Sequence, residues 1–126
     1  MALTSRSCKN KGKRLQNEVR DFLLEHFTHL EPDDVLSTTM GDPGTDIKLS
    51  PAARKVFPFS VECKNQQSLN IWAALKQAES NVKPETSPCV IFKRNHSDTY
   101  ITMKFSDFMK IYLDKNKMVD ISTETC

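Results

Sequence analysis

The sequence predicts a single α/β domain, a mixed β-sheet flanked by helices. Three observations carry that prediction. Two segments, from about Arg14 to Leu30 and from Ser68 to Val82, repeat apolar residues at helical spacing. Short alternating or continuous apolar runs lie between and after them, among them FSVECKN at 59–65 and CVIF at 89–92. The length of 126 residues suits one modest core and is too short for two.

The chain opens on a basic stretch. Within residues 1–20, Arg6, Lys9, Lys11, Lys13, Arg14 and Arg20 face a single acid, Glu18, although the net charge of the whole chain is only +2. Positive charge gathered at one end suits an arm, about residues 1–13, that meets phosphates; a solvated terminus is the alternative. Leu15, Val19, Phe22, Leu23, His26, Phe27 and Leu30 then predict an amphipathic helix, with His26 packed in its apolar face. Pro32 and Asp33-Asp34 close it, and Val35 to Thr39 reads as a first strand. Gly41-Asp42-Pro43-Gly44 is a turn in which Asp42 suits a structural, backbone-capping role.

Thr45 to Leu49 alternates polar and apolar, Ser50 to Lys55 breaks the pattern, and Val56 to Cys63 resumes as a longer strand. This predicts a hairpin with an elaborated connection. Pro58 puts the start of the second strand at an edge or a bulge. In the next helix Ile71, Leu75, Ala78 and Val82 form the stripe, Ser68 is a candidate cap, Pro84 stands past the end and Trp72 is expected to pack on the sheet. Cys89 to Phe92 suits a strand covered on both faces, and Thr99 to Met103 is another strand. Phe105 to Leu113 closes the fold as a short helix capped by Ser106, with Phe108, Ile111 and Tyr112 available to the core and a polar tail over about 117–126. The predicted order is α-β-β-β-α-β-β-α.

Composition bounds the function classes. Apolar residues at 38%, charged residues at 27% and only three glycines exclude a fibrous or disordered chain. The four cysteines are scattered without a CxxC pair, which predicts free thiols in a reducing compartment. No apolar stretch is long enough to cross a bilayer and the N-terminus lacks a secretory core, so a soluble, cytoplasmic protein without a membrane partner is expected.

Chemistry concentrates in FSVECKN. Side chains alternate along a strand, so Phe59, Val61 and Cys63 face one way while Ser60, Glu62 and Lys64 face the other. In the preceding strand Ile47 and Leu49 share one face, Asp46 and Lys48 the opposite one. If the two strands align their apolar faces, Asp46 and Glu62 converge. Converging carboxylates repel unless a cation stands between them, and hard oxygen ligands point to Mg²⁺ or Mn²⁺. Lys64 beside such a metal orients or deprotonates water and offsets charge on a phosphate. The alternative is a cross-strand ion-pair ladder of Asp46, Lys48, Glu62 and Lys64 on a solvated face. Given a nucleic-acid substrate, Lys9, Lys11, Lys13, Arg14, Lys48, Lys93 and Arg94 are the candidate phosphate-binding residues.

GTDI, about ten residues of connection and FSVECKN resemble the core signature of the PD-(D/E)XK nucleases, with Asp46 as its D and Glu62-Cys63-Lys64 as its (D/E)-X-K. The stretch VECKNQQSLNIWAALKQAESN followed by CVIFKRN is similar to small phage-encoded members of the Holliday-junction-resolvase-like branch, and the likeness runs from about Lys11 to Phe108. The resemblance implies a restriction-endonuclease-like αβββαβ core and a homodimeric, metal-dependent DNA endonuclease that leaves a 5′ phosphate, working in a bacterial host or phage-infected cell. It implies a third metal ligand from the first helix, a place that KGKRLQNEVRDFL offers to Glu18, with pairing to Arg14 as the other reading. A backbone carbonyl of Val61 or Cys63 is a further implied metal ligand, and Gln77 an implied accessory on the following helix. Within the same fold a site-specific or nicking endonuclease is a rival; a catalytically idle DNA-binding module or a nucleic-acid-free interaction domain are rivals of other classes.

Overall fold

A computed structural model describes residues 5–39 and 44–124, with side chains described over 10–39 and 44–116. In chain order the elements are α1 (Ser5–His26), a 3₁₀ turn (Pro32–Asp34), β1 (Val35–Ser37), β2 (Ile47–Leu49), α2 (Pro51–Val56), β3 (Phe59–Asn65), α3 (Ile71–Ser80), β4 (Ser87–Lys93), β5 (Tyr100–Met103) and α4 (Phe105–Glu124). The expected α/β order is present with one helix added.

Several boundaries differ from the sequence reading, each for a local reason. Helix α1 begins at Ser5, so most of the expected arm is helical. His26 lies at its C-terminal end, exposed, with its ring stacked on Phe22 at 4.0 Å and Nδ1 2.8 Å from the Phe22 carbonyl. Ser50-Pro51, read as a break, starts α2: Ser50 Oγ accepts from the Ala53 N–H at 3.1 Å and Pro51 stands at the first helical position, where its missing N–H costs nothing. Asn70, not Ser68, caps α3, accepting from the Ala73 N–H at 3.1 Å. Trp72 is 80% exposed, off the sheet, and Phe108 and Tyr112 are half exposed, outside both cores. The Asp42 turn and the Lys9 side chain lie outside the described residues.

The strands form two sheets where one was expected. β1 and β2 pair antiparallel, with Ser37 opposite Ile47; β3 pairs parallel with β4, with Glu62 opposite Val90, and β4 pairs antiparallel with β5. The parallel pair requires a crossover, which α3 supplies. A backbone hydrogen bond from the Asp46 N–H to the Val61 carbonyl, 2.9 Å long, joins the two sheets.

Alternation then sorts the core. Val61 and Cys63 of β3 and Cys89 of β4 pack with Leu15 and Leu23 of α1 and with Val35, Ile47 and Ala53. On the other face Val90 packs with Ala74 and Ala78 of α3, backed by Leu75 and Phe92. Cys63 and Cys89 are free and buried, and burial raises both thiols, Cys89 to about 12, so neither is a reactive thiolate. One sheet face belongs to α1 and the other to α3, which puts Glu62 and Lys64 on the α3 side.

Candidate active site

Glu62 sits mid-strand in β3 and is 1% exposed. A buried carboxyl needs partners. One is Asn81, the residue that ends α3, whose Nδ2 donates to Glu62 Oε1 at 2.9 Å.

Asp46 is held by three hydrogen bonds. Its N–H donates to the Val61 carbonyl at 2.9 Å, its carbonyl accepts from the Thr38 N–H at 3.0 Å, and its Oδ2 accepts from the Cys63 N–H at 2.6 Å. The seam between the two sheets therefore fixes the carboxyl of Asp46 against β3. There it neighbours the Glu62 carboxyl closely enough for each acid to act on the ionisation of the other.

Electrostatics follow from that geometry. Burial pushes Glu62 up to about 7, against the pull of Asn81, and the neighbouring Asp46 charge adds to the rise. Burial also raises Asp46, opposed by the Cys63 N–H and then by Lys64. Lys64 favours the charged form of both carboxyls, so the acid, acid and lysine set acts on itself as one cluster.

A solvated ion-pair ladder does not describe this arrangement. Glu62 is buried while Lys48 is exposed, and the one ion pair among the described residues, Arg20 with Asp21 at 2.8 Å, lies elsewhere. Two neighbouring carboxylates are hard oxygen donors of the kind a divalent cation takes, one or two from the protein with water and substrate oxygens completing the shell. Asp46 and Glu62 would hold such a cation in their ionised forms.

Glu18 is not brought to this pair. Residues two apart on a helix point about 200° apart, and the inward face of α1 carries Gly12, Leu15, Gln16 and Leu23. Gln16, 1% exposed, accepts from Ser37 Oγ at 3.0 Å. Glu18 instead lines a cleft of about 450 Å³ with Lys11, Arg14, Asn65, Lys93 and His96. Among the described residues, no three of His, Cys, Asp and Glu gather as a metal cluster.

The remaining candidates separate by environment. Lys13 turns inward, donating from Nζ to Thr38 O at 2.6 Å and Ser37 Oγ at 3.0 Å, so it ties α1 to β1 and leaves no free ammonium for a phosphate. Lys11, Arg14 and Lys93 share the basic cleft, Arg94 is exposed at the end of β4, and Lys48 is exposed on β2. Gln77 is exposed, and Asn81, one turn further along α3, makes the contact to Glu62. The Cys63 thiol points into the α1-side core and the Val61 carbonyl is engaged by Asp46. The sequence reading missed the roles of Asn81, Gln16 and Lys13; the signal for Asn81 was its place at the end of a polar stripe running through Asn70 and Gln77.

The family model described as "phage putative PDDEXK endonuclease" matches residues 7–125. No curated protein and no solved structure matches. The match covers nearly the whole chain and includes Asp46, Glu62 and Lys64, and no helix among the described residues is long and apolar enough to cross a membrane. The chain belongs to the phage PDDEXK endonuclease family, within the PD-(D/E)XK nuclease superfamily.

Proposed function

We propose that the chain is a Mg²⁺- or Mn²⁺-dependent DNA endonuclease that hydrolyses phosphodiester bonds in branched DNA, such as junctions, in the cytoplasm of a bacterial host. The observation that carries the reading is Asp46, pinned by the Cys63 N–H against β3 beside the buried Glu62, with Lys64 on the same face of that strand. A structural core has little use for two neighbouring carboxyls that resist ionisation, whereas a divalent-cation site needs such a pair.

In this mechanism Asp46 and Glu62 would hold the cation, both carboxyls in their ionised forms. Asn81 keeps one Glu62 oxygen engaged and so aims the other. Lys64 holds the attacking water and offsets charge gathering on the phosphate. When bound, the divalent cation supplies Lewis-acid polarisation of the phosphate and eases ionisation of water. Glu18 lies with Lys11, Arg14 and Lys93 in the basic cleft and has no part in this two-carboxylate site.

Selectivity for branched DNA rests on the family likeness and on the small size of the domain, which favours reading of backbone shape. A homodimer is part of the proposal. It is supported by two uncovered apolar surfaces: Phe105, Phe108, Tyr112 and Leu113 on α4, and a groove of about 420 Å³ lined by Val19, Phe22, Phe57 and Ile101.

The test is cleavage of end-labelled linear, nicked, flap and four-way DNA with Mg²⁺, with Mn²⁺ or with chelator, beside Asp46→Asn and Lys64→Ala. Metal-dependent cutting by the native protein, lost in both variants while DNA binding persists, is the expected result. Variants that cut as well as the native protein, or a native protein that cuts nothing with either metal, would overturn it.

A further inference from the structure

Beyond Asp46 the strands β2 and β3 part, and a cavity of about 240 Å³ opens in the wedge between them. Its walls are Thr45, Ile47, Lys48 and Leu49 on one side and Phe59 and Ser60 on the other, closed by Arg54, Lys83 and Thr86. Three cations and no carboxylate line it. None of the three takes part in an ion pair among the described residues, where Arg20–Asp21 is the pair present. The cavity adjoins the carboxyl pair: Thr45 immediately precedes Asp46, and Ser60 is two residues from Glu62 on the same face of β3.

Two of the three cations stand on anchored chain. The Lys83 N–H donates to Ser60 Oγ at 2.9 Å, which pins the turn after α3 onto β3. The Lys83 ammonium lies close to Gly44: a Cβ added there would stand 3.8 Å from Nζ. Gly44 has φ +99°, a conformation side chains rarely adopt, so the chain enters Asp46 as bare backbone beside that ammonium. Arg54 is steadied by its bond to the Leu49 carbonyl at 3.1 Å. The hydroxyls are already engaged, Ser60 with Thr86 and Thr45 with the Ile47 carbonyl, which leaves the cations as the groups that meet a ligand.

We infer that this wedge is an anion subsite for a backbone phosphate of the nucleic-acid strand, next to the phosphate to be cut at the Asp46–Glu62 site, with Lys83 and Lys48 as its contacts and Arg54 as its wall. The inference rests on the nuclease reading above. On that reading the wedge and the cleft of Lys11, Arg14 and Lys93 lie toward opposite ends of β3, a strand of seven residues and so about 20 Å of rise. A bound strand is thus held on both sides of the bond to be cut.

The experiment measures binding of a fluorescently labelled duplex in chelator, where nothing is cut, across a range of KCl concentrations. Each phosphate contact contributes about 0.9 to the slope of log affinity against log salt. Lys83→Gln should lower the slope by about 0.9 and the Lys48→Gln/Lys83→Gln pair by about 1.8, with about fivefold weaker binding per lysine near physiological salt. Lys83→Arg should restore the slope. Lys76→Gln and Lys110→Gln, exposed lysines of α3 and α4 that do not line the wedge, control for charge alone. A paired variant with the slope of those controls overturns the subsite; metal-dependent cutting by the native protein then leaves the nuclease reading standing. A native protein with no salt-dependent affinity for DNA overturns both.

Discussion

Replacing Glu62 by Gln is expected to stabilise the metal-free protein at alkaline pH while abolishing its activity. In the folded state burial and the Asp46 charge lift Glu62 from the ordinary 4.5 to about 7. The sign follows from proton counts: between these values the folded chain holds a proton that the unfolded chain has released, so stability is full below about pH 4.5 and is lost as pH rises through about 7. At 1.36 kcal/mol per pH unit the loss is about 3 kcal/mol, a large part of a small domain's total. Glutamine keeps the shape, accepts from Asn81 through its carbonyl and donates to Asp46 through its amide, so no proton is needed. The assay is urea unfolding in chelator at about pH 5 and about pH 8.5, followed by far-ultraviolet circular dichroism because the single tryptophan is 80% exposed and a poor reporter of the core. The two proteins should match within about 1 kcal/mol at the acid end, with Glu62→Gln ahead by about 2–3 kcal/mol at the alkaline end. Excess Mg²⁺ should restore the native protein by about 3 kcal/mol at a hundredfold excess over its dissociation constant, and the variant by much less. A native protein equally stable at both pH values, or a variant weaker than native at alkaline pH, would show that Glu62 takes up no proton on folding.

Three further outcomes are expected. Lys64→Ala should slow single-turnover cleavage by about 10²–10⁴-fold without weakening DNA binding in chelator beyond what one lost charge explains. Asn81→Ala removes a bond that holds Glu62 down, so the pH for half-maximal cleavage should move upward, with a stability loss of about 1 kcal/mol; a downward move in the pH–rate profile counts against the assignment. Phe105→Asp with Phe108→Asp should turn a dimer into a monomer by light scattering, and a native chain already monomeric at assay concentrations ends the dimer proposal.

What the sequence made legible was whatever local periodicity encodes. Alternation alone put Glu62 and Lys64 on one face of β3 and Val61 and Cys63 on the other, and the buried clusters follow that division. Residues 5–13 offered no apolar stripe, so their helicity was hidden. In α2 a cap and a first-position proline took the place of periodicity, in an element of six residues. Trp72, expected on the sheet, is 80% exposed because it stands beside Ile71 and off the stripe of Leu75 and Ala78. The site's supports were beyond any local rule. Asn81 meets Glu62 across 19 residues and Lys13 meets Thr38 across 25, contacts that only the packing of α3 and α1 on opposite faces creates. Glu18 was assigned from a motif, but the helix turned Gln16 inward in its place.

Asp46 joins the two questions, because the residue that would carry the metal also closes the seam between the sheets. Its Oδ2 satisfies the Cys63 N–H at the edge of β3, and its backbone links Thr38 to Val61. Alanine there deletes the carboxylate and orphans the Cys63 N–H in one step. An orphaned buried donor costs about 1–3 kcal/mol, which in a domain of this size lowers the melting temperature by several degrees. Inactivity of Asp46→Ala would therefore not separate lost chemistry from lost structure. Asparagine retains an oxygen for the Cys63 N–H and gives its amide to Glu62, so Asp46→Asn should melt within a few degrees of the native protein in chelator, bind DNA and fail to cut. If Asp46→Asn melts as low as Asp46→Ala, the carboxylate charge itself holds the seam, and the division drawn here between backbone support and metal chemistry is wrong.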